Sequence, residues 1–173
     1  MAQIIKHGAA IQDNWQLLEQ DPTGALPFSG DVIVPFDLWT SERDTLSFRL
    51  GRIGVWLEAD ADPAAIAPDL ARFDVIAVRF ASFTDGRGYS LARLLRERYG
   101  YRGELRAIGD VLRDQLYYLS RCGFDAFALR ADQNPPQALS AFDDFTEAYQ
   151  SSVERPDPLF RRRLELDPRR KAA

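Results

Sequence analysis

Five short apolar runs recur along the chain, and each is followed by a stretch long enough to form a helix. No other feature narrows the fold as much. Val32-Ile33-Val34, Ile53 to Leu57, Val75 to Val78, Leu105 to Ile108 and Ala126 to Leu129 have strand length and are mostly β-branched or aliphatic. Asp37 to Phe48, Pro63 to Phe73, Tyr89 to Tyr99, Val111 to Arg121 and Pro135 to Tyr149 are the intervening and final helix-length segments. In Tyr89 to Tyr99, Leu91, Leu94 and Leu95 face Arg93, Arg96 and Glu97 across the helix. Pro68 sits awkwardly in its segment and is expected to kink or shorten it. Gly123 is placed to end Val111 to Arg121 as a left-handed cap.

Strands alternating with helices imply crossover connections and a mostly parallel sheet covered on both faces. The fold class is α/β, with about five strand–helix units. Strand order is not encoded in such a pattern. A flavodoxin-like layered sheet and an open partial TIM-like barrel both fit, and we favour the first. Residues 1–30 read as a strand or hairpin lead (Ile4, Ile5, Ile11) with a Pro/Gly-dense loop from Asp21 to Gly30. Residues 31–150 read as the α/β domain. Residues 151–173 read as a flexible tail with two basic clusters, Arg161-Arg162-Arg163 and Arg169-Arg170-Lys171.

Composition then removes several chemistries. One cysteine, Cys122, and one histidine, His7, cannot build a His/Cys zinc site or a Cys-ligated cluster. A Ser-His-Asp triad would have to use His7 from the terminal segment. A net charge of −4 disfavours nucleic acid as a partner. No apolar run nears the roughly 20 residues of a membrane span, so the expectation is a cytoplasmic protein. No metal site is expected: Glu58, Asp60 and Asp62 lack a second acidic pair. No cofactor motif is evident, because neither GxGxxG nor GxxxxGK[ST] occurs. Cys122, beside Arg121 at a helix end, reads as a packed thiol, and Trp15, Trp39 and Trp56 read as core or interface anchors.

Ligands of open parallel sheets bind beyond the carboxyl ends of the strands. The loop from Arg79 to Ser90 is the most informative there. Gly86 and Gly88 flank a helix start, and Arg79 and Arg87 could clamp an oxyanion beside its unpaired N–H groups. The plainer reading makes this a tight connection capped by Asp85 or Ser90. Gly109 and Asp110 follow the fourth run, with Asp110 placed to cap a helix starting at Val111. Asp114 and Gln115 lie beside that helix's apolar stripe and require partners. Arg106, inside a strand, is expected to pair with Glu104 or Asp110.

The run FTDGRGYSLARLLRERYGYRGELRAIGDVLRDQLYYLSRCGFDAFALR, Phe83 to Arg130, closely resembles the bacterial family catalogued as domain of unknown function 934. VIVPFDLW and GVWLEAD fit the same family. The resemblance implies genes that neighbour assimilatory sulfite reductase, and a working label of oxidoreductase in sulfite reduction. It supplies no catalytic residue. The family-like polar and glycine positions in this chain are Arg79, Asp85, Gly86, Arg87, Gly88, Arg106, Gly109, Asp110, Arg113, Asp114 and Gln115.

Three functions follow as expectations. The first is an accessory protein of sulfite reduction, binding sulfite reductase, another sulfate-assimilation protein or a small anion through Arg79, Gly86, Arg87, Gly88, Arg106, Gly109, Arg113 and Gln115. The second is an enzyme acting on an oxyanion or phosphorylated metabolite, with Asp85, Asp110 or Asp114 as acid or base. The third is a flavin- or nicotinamide-dependent oxidoreductase.

Overall fold

The computed structural model describes residues 3–19 and 26–166. The loop expected over Asp21 to Gly30 lies partly, and the basic cluster Arg169-Arg170-Lys171 wholly, outside the described residues. The elements in chain order are β1 (Gln3–Lys6), β2 (Ala9–Gln12), β3 (Gln16–Leu17), β4 (Val32–Pro35), α1 (Phe36–Ser41), α2 (Arg43–Ser47), β5 (Ile53–Glu58) and α3 (Pro63–Ile66). They continue with β6 (Val75–Phe80), α4 (Arg87–Glu97), β7 (Glu104–Gly109), α5 (Leu116–Arg121), β8 (Ala126–Phe127), α6 (Pro135–Ala138) and α7 (Leu159–Leu166).

The strands form one sheet in the order β2-β1-β8-β7-β6-β5-β4-β3. From β3 to β8 neighbouring strands are parallel. Only the β1–β2 hairpin and the β1–β8 pairing are antiparallel. A flavodoxin-like sheet reverses direction at a switch point. Here the parallel strands follow chain order without reversal, and the sheet is an open, curled half-barrel. Our preference for the layered alternative therefore does not hold. The hairpin turn is His7-Gly8, with φ of 51° and 73°. Two positive φ values give the turn whose twist matches a two-residue hairpin.

The side-chain period of two divides the sheet's faces. Val34, Val55, Leu57, Ile76, Val78, Phe80, Leu105 and Phe127 point to one face and bury Trp39, Ile66, Leu91, Leu95, Leu116 and Leu119 from the helices. The other face carries Ile33, Trp56, Val75, Ala77 and Ile108, packed by Trp15 rather than by any helix. Trp56 Nε1 donates to the Leu18 carbonyl at 2.9 Å, pinning the N-terminal lead across that face. The helices thus cover one face, not two.

Several expected helices are shorter than their apolar spacing suggests. Asp37 to Phe48 is broken at Glu42 into α1 and α2. After α3 the chain tightens into a 3₁₀ turn over Ala67–Arg72, with Pro68 at its start. Val111 to Arg121 begins as a 3₁₀ turn at Arg113, and α5 itself starts at Leu116. The α6 segment likewise becomes 3₁₀ over Leu139–Asp143, so no continuous helix reaches Tyr149. Leu94, placed on the apolar face of α4, is 39% exposed, while Leu91, Ala92 and Leu95 are buried. The segment read as a flexible tail is mostly exposed and touches the domain at a few points. Ser152 is buried, the Val153 N–H donates to the Arg121 carbonyl at 3.1 Å, and α7 follows.

Candidate functional site

The carboxyl ends of β5, β6, β7 and β8 carry a rim of arginines and aspartates. Its centre is the loop after β6. The Phe83 N–H donates to Asp110 Oδ2 at 2.9 Å, and the Phe83 carbonyl accepts from Gln115 Nε2 at 3.5 Å. Gln115 also donates to the Tyr89 hydroxyl at 3.2 Å and accepts the Leu112 N–H at 2.8 Å. Asp110 and Gln115 therefore meet through Phe83. Asp110 does not cap a helix at Val111, because the Val111 N–H is taken by the Gly109 carbonyl and Leu112 is extended.

Two arginine clusters flank this loop. Arg87 forks onto Asp85, Nε to Oδ1 at 2.9 Å and a terminal nitrogen to Oδ2 at 2.8 Å, and reaches Asp60 at 2.8 Å. Those hydrogen bonds hold the Asp85 carboxyl at about 2, well below its ordinary value. Asp85 also accepts the Arg87 N–H at 3.2 Å, the first of α4. On the other side Arg130 bridges Asp110 at 2.8 Å and Asp132 at 2.7 and 2.8 Å. Asp132 is likewise held at about 2 by Arg130. These fork geometries are the strong form of an arginine–carboxylate contact.

The remaining candidates lie apart from the loop centre. Arg79 projects to the Trp15 face, 5.3 Å from the Trp56 ring and 3.7 Å from Glu58. Arg106 is buried between Glu104 at 2.6 Å and Asp13 at 2.8 Å, and Lys6 also reaches Glu104 at 2.6 Å. The expectation of Glu104 as its partner holds; its second partner is Asp13 rather than Asp110. Arg113 contacts Asp144 at 3.0 Å and Ser140 at 3.2 Å. Asp114 is exposed and borders an open cleft with Tyr118 and Tyr149.

The glycines split by role. A Cβ on Gly88 would lie 2.7 Å from the Phe80 ring, so this glycine lets α4 approach β6. Gly109 has φ of 93°, and its added Cβ would strike the Phe80 carbonyl at 2.4 Å. Gly86 opens onto free space at the rim. Asp62 accepts the Ala64 N–H as the cap of α3. Among the described residues no group of three or more His, Cys, Asp or Glu side chains could hold a metal ion. Burial pushes the Cys122 thiol up, away from thiolate.

Sequence reasoning missed Asp60, Arg130 and Asp132 as rim members and Asp13 as the partner of Arg106. The first three lie in loops at strand carboxyl ends, and Asp60 was weighed only as a metal ligand with Glu58 and Asp62. Asp13 lies 93 positions from Arg106, and no local pattern signals that contact. A family model described as "Bacterial protein of unknown function (DUF934)" matches residues 54–160. The match takes in the rim from Glu58 to Asp132 and leaves out Lys6 and Asp13. No curated protein and no solved structure matches the chain.

Proposed function

The chain belongs to the bacterial family of unknown function DUF934, and from that premise we propose that it is an accessory protein of assimilatory sulfite reduction. It docks a partner of that pathway, sulfite reductase or another sulfate-assimilation protein, through the rim at the strand carboxyl ends. The pathway comes from the gene neighbourhood that the family resemblance implies. The docking role comes from the rim's chemistry. A general acid or base works best with a pKa near the operating pH. Asp85 sits at about 2 and is fixed by Arg87, so it is suited to holding charge in place rather than moving protons. Exposed ion pairs of this kind contribute little to folding but can exchange partners at an interface.

A single observation carries the reading. Arg87 and Arg130 each join two carboxylates from different loops at the solvent edge, setting alternating charges along one surface. Such a pattern recognises a complementary charged surface and sets association rate and register. A tagged chain recovered from cells growing on sulfate is expected to bring a sulfur-assimilation protein with it. The Arg87→Ala, Arg130→Ala double variant is expected to lose that protein while keeping its melting temperature. Recovery by the double variant equal to the original chain would count against the rim.

A second reading, an oxyanion site, rests on Arg79. This guanidinium is 40% exposed and lies a loose 3.7 Å from Glu58. It is held over Trp56, which leaves a fork direction open to a small anion. Titration with sulfite or sulfate that is abolished by Arg79→Ala would support it.

A further inference from the structure

A cleft of about 390 Å³ opens between α5, the start of β8 and the C-terminal segment. Asp125, which precedes β8, is on its wall, whereas Arg130 of the rim follows β8. Its volume falls within the roughly 300–1,000 Å³ of small-molecule sites.

Two aromatic pairs line it. Phe127 and Phe142 lie with ring centres 5.4 Å apart, and Tyr117 and Phe145 lie 5.0 Å apart. The polar lining is unbalanced toward positive charge. Arg155 and Arg162 share one carboxylate, Glu147, at 3.6 and 2.8 Å, so one guanidinium charge is left over. Arg121 spends its hydrogen bonds on the Gln150 and Ser151 carbonyls, which leave its charge in place. On the acidic side, Asp125 is already taken by Arg96 at 2.7 Å. The exposed Glu154 carboxylate offsets one of these charges and still leaves the surroundings of the cleft net positive. Arg162 Nε is buried and finds no hydrogen-bond partner among the described residues. A buried donor without an acceptor is costly, and a ligand oxygen would relieve it.

We propose that this cleft binds a small anion carrying a planar aromatic ring, the ring against the Phe127–Phe142 and Tyr117–Phe145 walls and the oxyanion at Arg162 and Arg155. The ring satisfies the aromatic walls through stacking or edge contacts. The oxyanion supplies the acceptor that Arg162 Nε lacks and balances the surplus charge. The strap over Gln150 to Arg162, held to α5 by Arg121, forms one side of the site. Strand-end rules direct attention to the other end of the sheet, which is why the sequence did not reveal it. The proposal does not depend on partner docking at the rim.

Calorimetric titration with adenosine 5′-monophosphate, phenyl phosphate, adenosine and inorganic phosphate tests it. At least one of the two ring-bearing anions is expected to bind at a single saturable site. Its ring alone or phosphate alone should bind about tenfold more weakly or worse. Tight adenosine 5′-monophosphate with weak phenyl phosphate would identify a nucleotide site, and the reverse a smaller aryl anion. Arg162→Ala and Phe142→Ala should each weaken binding about tenfold, and Arg87→Ala should not change it. Should Arg162→Ala fail to fold, Arg162→Lys keeps the charge but removes Nε and should also weaken binding. No saturable binding of either ring-bearing anion overturns the proposal. So does inorganic phosphate binding as tightly as both, or binding that is indifferent to the folded Arg162 and Phe142 variants.

Discussion

At the scale of single residues, Arg106 and Tyr101 show how burial sets behaviour. Arg106 has 3% of its side chain exposed and Glu104 5%, so their pairing is shielded from water. Removing one member of a buried pair costs about 3–5 kcal/mol, because the other is left uncompensated. Lys6 still reaches Glu104, so Arg106→Ala should fall at the lower end of that range in urea unfolding. A loss below about 1 kcal/mol would mean that the pair is already hydrated. The single Tyr101 O–H is shared between the Phe73 and Glu104 carbonyls, each at 3.2 Å. Burial holds its phenolic proton well above the ordinary value of 10.0. The folded chain therefore keeps a proton that the unfolded chain loses first. This contribution to stability is complete below about pH 10 and is lost as pH climbs beyond it. Tyr101→Phe should cost about 1 kcal/mol at neutral pH, with a flatter decline than the original chain above about pH 10. Equal alkaline slopes for the two chains would contradict this. The burial of Tyr101 was not legible in the sequence. The pairing of Arg106 with Glu104 was, two positions away on the same strand, whereas its Asp13 contact arises from tertiary closure of the N-terminal lead.

At the scale of elements, the strands were far more legible than the helices. β-branched runs such as Val32 to Val34 and Val75 to Val78 commit to strands, since few other local structures suit them. Helical spacing was present in every intervening segment, yet much of it is 3₁₀ or broken. Pro68 tightens the turn after α3, and the extended backbone at Leu112 delays α5 to Leu116. The contact of α4 with β6 depends on Gly88. Gly88→Ala would push a methyl into the Phe80 ring, and overpacking of this sort costs about 1–3 kcal/mol. Gly86→Ala, two residues earlier, meets open space and should change stability by under about 0.5 kcal/mol. Paired thermal melts check the contrast, and equal effects would show that α4 sits elsewhere. Gly88 thus serves close packing of α4 on β6, whereas Gly86 leaves open space at the rim.

At the scale of the whole molecule, the strand order sets what the loops can do. Parallel strands in chain order bring consecutive carboxyl ends side by side, so Asp60, Asp85, Arg87, Asp110 and Arg130 form one continuous rim. The strand-end rule pointed to these loops from sequence but did not mark Asp60 or Arg130 as rim members, and strand order itself was hidden because local apolar patterns do not record which strands pair. The ion pairs that link one loop to the next were equally hidden, since they join residues 20 and 27 positions apart. The proposed role is that this rim serves sulfite reduction through a partner. Growth of a strain lacking the gene, with sulfate as sole sulfur source, tests that claim most directly. The strain should grow poorly on sulfate and normally on cysteine. The original gene should restore growth, and the Arg87→Ala, Arg130→Ala form should not, although the protein accumulates to the same level. Normal growth on sulfate without the gene, or full rescue by the double variant, would contradict the account.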